Sequence, residues 1–106
     1  MNDKSHGTKR EPFEEMYEAI LTLETLDECI RFFDDLLSVT ELRAIEQRYQ
    51  VARMLSEGHI YSTILSKTGA SSATISRVNR SLQYGLGGYE VVFGRLDADK
   101  KEKEEK

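Results

Sequence analysis

Apolar residues three and four positions apart recur from Phe13 to Val78, and the only proline, Pro12, stands before the first of them. That spacing gathers side chains on one side of a 3.6-residue helix but scatters them over both faces of a strand, so it confines the chain to helices. No alternating stretch, internal repeat or strand–helix–strand unit competes, and the expected fold class is all-α. Pro12 suits the first turn of a helix whose stripe is Phe13, Met16, Tyr17, Ile20 and Leu21. A second helix is expected from Thr25, because Thr25 and Glu28 have the spacing of a capping box. Its face of Leu26, Ile30, Phe33 and Leu37 is widened by Phe32 and Leu36. A helix apolar on more than one side is deeply buried or packs against a partner chain. Ser38 and Glu41 repeat the capping spacing and open a third helix with the stripe Leu42, Ile45, Tyr49, Ala52 and Leu55. Gly58 is its natural stop.

Length and composition bound the rest. At 106 residues, with 39% hydrophobic and 32% charged residues, the chain supports one small soluble domain. Such a core is marginal by itself, which favours a homodimer. Three regions are expected: an N-terminal arm over 1–11, a helical domain over 12–93 and a charged C-terminal tail over 94–106. The end of that tail, DADKKEKEEK, reads as frayed or as a solvated helix extension. No apolar run approaches the roughly 20 residues of a membrane span, and the first fifteen residues lack the apolar stretch of a secretory signal. A cytoplasmic location with no membrane partner is expected. One cysteine and two histidines cannot supply a zinc site. Cys29 reads as a small buried hydrophobe, and His59 has no ligand spacing around it. His6 lies in the arm. No nucleophile–base pair, carboxylate pair in an apolar setting or phosphate-cradling loop is present, so neither an enzyme nor a cofactor is expected.

The charge is uneven. Residues 11–42 carry ten acids against Arg31 alone, whereas residues 43–84 carry six bases against Glu46 and Glu57. The net charge of −4 therefore does not exclude a local basic face, because charges are screened over about 8 Å at physiological salt. The acidic group Glu11, Glu14, Glu15 and Glu18 reads as a solvated helix face.

The stretch YSTILSKTGASSATISRVNR, Tyr61 to Arg80, carries the functional information. Two short helices, one ending at Gly69 and one starting at Ser71 or Ser72 and running to about Tyr84, must bury their facing sides against each other. Glycine at the turn permits a positive φ. Ile64, Ile75 and Val78 then point inward, as in a DNA-binding helix-turn-helix. Leu65 stands beside the turn, where a small residue is usual. Ser71, Ser72, Ala73, Thr74, Ser76, Arg77 and Arg80 form the outward, DNA-contacting set. Small residues let a helix approach the major groove closely, hydroxyls bond base edges or phosphates, and arginines reach phosphate or guanine.

The segments LRAIEQRYQVARMLSEG and SKTGASSATISRVNRSLQYG, with the long ordered motif GAS-x-ATISRVNRSL and the following GGYEVVF, resemble the Trp repressor superfamily and its YerC/YecD branch. The resemblance runs from Phe13 to Phe93. It implies an intertwined all-helical homodimer with one helix-turn-helix head per chain, binding double-stranded DNA as a transcriptional regulator, most simply a repressor. It also implies an effector pocket in which Arg48 and Arg77 correspond to the two arginines that flank an indole, with Ser81 as the hydroxyl near the amino-acid amine. The family has glycine directly after its second arginine, whereas this chain has Val78, and the loop before the head is one residue shorter. L-tryptophan is therefore not the expected ligand, and an unidentified small-molecule effector stays open. The competing reading is a protein–protein interaction module that keeps the helix-turn-helix as scaffold; retention on heparin or random DNA at low salt separates the two.

Overall fold

The computed structural model describes residues 10–105; the first nine residues of the expected arm, His6 among them, lie outside the described set. Among the described residues there are six helices and no strand: α1 (Glu14–Ile20), α2 (Leu26–Leu36), α3 (Val39–Ser56), α4 (Tyr61–Thr68), α5 (Ser72–Tyr84) and α6 (Gly88–Glu105). None is long and apolar enough to cross a membrane. The chain divides into two compact units, one up to Glu46 and one from Gln47 onward.

The first unit holds α1, α2 and the opening turns of α3. Phe13 is extended at φ −84° and ψ 91° and offers no side-chain cap, so α1 opens after it and Pro12 lies outside the first turn. Thr25 caps α2 by accepting from the Glu28 amide at 3.1 Å, but the Glu28 carboxylate returns to the amide of Glu24 rather than to Thr25. At α3 the box is reciprocal: the Ser38 amide donates to Glu41 Oε1 at 2.8 Å, and the Glu41 amide donates to Ser38 Oγ at 3.2 Å. Neither α1 nor α2 has a buried residue. Leu21 is 82% exposed and Leu26 77%, so the broad apolar faces read from the sequence are uncovered within one chain. Cys29 is half-buried rather than fully enclosed.

The Ser38 amide and hydroxyl hold the Glu41 carboxyl below its ordinary value. A carboxyl whose pKa is lower in the folded chain contributes stability above its unfolded pKa and loses it as pH falls through its folded pKa. Glu41→Ala is therefore expected to speed amide exchange at the start of α3 at neutral pH. The two proteins should converge once acid has protonated Glu41, which a pH series of exchange rates checks.

The second unit carries the core: Val51, Ala52, Met54, Ile64, Ala70, Ile75, Val78 and Phe93. The end of α3 is closed by two bonds, from the Gly58 amide to Leu55 O and from the His59 amide to Met54 O, each 3.1 Å. Gly58 is at φ +86°, and this pairing satisfies carbonyls that the helix leaves open. Arg53 on α3 fastens α6 by lying 4.8 Å over the Phe93 ring and reaching Asp97 at 2.6 Å. The Asp97 hydrogen bond also raises the Arg53 pKa. Tyr49, expected in the core, is 43% exposed and packs edge-on with Phe93, ring centroids 5.7 Å apart. The boundary placed at residue 94 falls inside α6, whose charged half continues the helix to Glu105. Alanine, lysine and glutamate are strong helix formers and need no buried face to propagate an existing helix.

Candidate nucleic-acid interface

Helices α4 and α5 form a compact head around one turn. Gly69 ends α4 in the left-handed region at φ +70°, and its amide bonds Leu65 O at 3.0 Å. Thr68 braces the turn from inside: its hydroxyl donates to Ile64 O at 2.7 Å and accepts from the Ala70 amide at 3.1 Å. Gln47 of α3 donates to Thr68 O at 3.1 Å, tying the turn to the long helix. Ser71 caps α5, accepting from the Thr74 amide at 3.1 Å.

The inward side of the head is fully apolar. Ile64 and Ile75 have no exposed surface and Val78 has 5%. Leu65 turns partly outward, at 39% exposure, which relieves the crowding beside the turn. On the opposite side Ser71, Ser72, Ala73, Ser76, Arg77 and Arg80 are exposed, as the sequence pattern requires. Thr74 differs from the rest of its set. It is half-buried, and its Oγ1 accepts from the Ser71 hydroxyl at 3.1 Å. Ser71 and Thr74 therefore shape the helix start, while Ser72, Ser76, Arg77 and Arg80 form the freely accessible polar surface.

Arg48, Arg77 and Ser81, grouped by the resemblance, line one cavity of about 120 Å³ together with Thr74, Val78 and Tyr89. Tyr89 has no assigned role in the sequence pattern. Its spacing of four from Phe93, on which it stacks with centroids 5.6 Å apart, is the signal that could have found it. The His59 ring lies 3.6 Å from the Glu57 carboxylate, and no group of three or more metal-binding side chains occurs among the described residues.

A helix-turn-helix head with a buried apolar interior and a serine- and arginine-bearing outer helix defines the structural class. The chain belongs to the Trp repressor family: the family model described as Trp repressor protein matches residues 11–97. It is 47% identical over 94 residues to the uncharacterized protein YerC of Bacillus subtilis, covering 89% of this chain and 88% of that one. Among solved structures it is similar to a TrpR-like protein from Eubacterium eligens, with 52% identity and a TM-score of 0.76 over 79% of this chain and 87% of that one. It is also similar to a protein described as a candidate Trp repressor from Staphylococcus aureus, with 43% identity and a TM-score of 0.78 over 92% of this chain and 96% of that one.

Proposed function

We propose that this protein is a sequence-specific DNA-binding transcriptional regulator, not an enzyme, which acts in the cytoplasm as a homodimer and does not respond to L-tryptophan. The observation that carries the reading is the two-sidedness of α5: Ile75 and Val78 are buried while Ser72, Ser76, Arg77 and Arg80 stand in solvent. Ser71, Ser72, Ala73, Thr74, Ser76, Arg77 and Arg80 meet the major groove, with the two arginines supplying the strongest contacts. Membership of a family named for a repressor supports the same reading.

The dimer is supported by the uncovered faces of α1 and α2. Leaving so many large apolar side chains in water forgoes about 25 cal/mol for each Å² that a second copy would cover. Two heads on one symmetric core then read two half-sites. Selection of bound duplexes from a random pool tests both claims. A consensus with two symmetric halves supports them, and failure to enrich any sequence overturns specific recognition. Affinity should also fall steeply with added salt, because each phosphate contact releases counterions.

Exclusion of L-tryptophan is supported by the lining at Arg48, Arg77 and Ser81, where Val78 stands in place of a glycine. Val78 forms part of the wall, so its branched side chain occupies space that a glycine would leave open. Isothermal titration with L-tryptophan should give no binding at micromolar concentrations; a clear saturating isotherm there would refute this part of the proposal.

A further inference from the structure

We infer that the cavity between Arg48 and Arg77 binds one small oxyanion of the phosphate class; this rests on reading that cavity as an effector site, and not on which DNA sequence the head prefers. The lining decides the chemistry. Arg48, Arg77, Thr74, Ser81 and Tyr89 each carry a hydrogen-bond donor and line the space together with Val78, and no carboxylate is among them. Among the described residues neither arginine has a hydrogen bond or an ion pair with any other side chain. Thr74 Oγ1 accepts from Ser71, which leaves the Thr74 proton free to point elsewhere.

Two positive charges facing one small space repel, and an anion between them replaces repulsion with charge-assisted bonds. Guanidinium groups present their donors in a planar fork that matches oxyanion geometry. The volume admits this class: about 120 Å³ is several times the roughly 10–15 Å³ that holds one water, so a tetrahedral oxyanion has room. A cation would meet the two arginines, and an apolar molecule would leave five polar groups unsatisfied.

The oxyanion has two physical sources, because Arg77 lines the cavity and also stands on the outward face of α5. It is either free in solution or a phosphate of the bound duplex. Titrating the full-length protein with inorganic phosphate in a chloride-poor buffer, followed by calorimetry and by the NMR signals of Arg48, Arg77 and Ser81, tests the first source. Saturable binding with shifts at those three residues is expected, weakened roughly tenfold or more in Arg48→Gln and by a smaller factor in Ser81→Ala. Arg48 is exposed, so both proteins should fold alike, as circular dichroism will show.

The salt dependence of DNA binding tests the second source. If a duplex phosphate enters the cavity, Arg48→Gln lowers the slope of log affinity against log salt by about 0.9, and phosphate competes with DNA. If the anion is free, the slope is unmoved. Phosphate binding that survives intact in Arg48→Gln overturns the inference, as does an absence of phosphate binding together with an unmoved slope. Because the phosphate titration contains no DNA, a protein that binds its selected duplex, does not bind phosphate and keeps the same salt slope in Arg48→Gln sinks this inference alone.

Discussion

Alanine at both Arg77 and Arg80 is expected to weaken binding to a selected duplex by about 1–3 kcal/mol for each arginine, with little change in melting temperature. Both side chains are exposed and neither has an intramolecular polar partner among the described residues, so their removal leaves no buried group unsatisfied. Fluorescence anisotropy at fixed salt, with melting curves of the same samples, makes the comparison. The single changes separate two roles. Arg80 is absent from the cavity wall, so Arg80→Ala reports on DNA alone; Arg77→Ala affects the cavity as well. A loss that is uniform across sequences, with a salt slope lower by about 1, identifies a phosphate contact, whereas relaxed preference at one base pair identifies a base contact. Unaltered affinity in the double variant would mean that another surface reads the DNA.

Ile75→Ala tests the orientation of α5 from its other side. Ile75 has no exposed surface and belongs to the same cluster as Val51, Ile64 and Ala70. Truncating a buried isoleucine costs about 2–5 kcal/mol, from lost transfer energy and from the cavity left behind. Domains have only about 5–15 kcal/mol in total, so much of the stability should disappear, visible as a lower urea midpoint. Ser76→Ala, one residue along and exposed, should leave the midpoint nearly unchanged. Equal destabilisation by the two substitutions would mean that α5 is rotated about its axis, with Ser76 packed inward as closely as Ile75.

The head was legible because its determinants are local. Gly69 and Ser71 mark the end of one helix and the cap of the next, and Ile64, Ile75 and Val78 take the buried positions that their spacing requires. The Ser38–Glu41 box was legible for the same reason. Other features depend on partners distant in sequence. The Arg53–Asp97 pair spans 44 residues, and no pattern in either segment announces it. Tyr49 has the right period for the core but stays 43% exposed, in edge contact with Phe93. The C-terminal half of α6 has no hydrophobic periodicity to betray it, because composition alone sustains that helix. Resemblance grouped Arg48, Arg77 and Ser81, but the size of the space between them depends on Val78 and Tyr89 and is a property of packing.

The fastening of α6 to α3 combines two kinds of bond. The link from Arg53 to Asp97 reaches water at one end, with Asp97 61% exposed and Arg53 22%, and mobile ions weaken such a contact. The stack of Tyr89 on Phe93 and the burial of Phe93 owe little to charge. Raising ionic strength therefore strips away only the weaker half of the joint. If the proposed grip on a nucleic acid is lost in concentrated salt while the C-terminal helix stays seated, the release reads as a loss of grip rather than as the onset of unfolding.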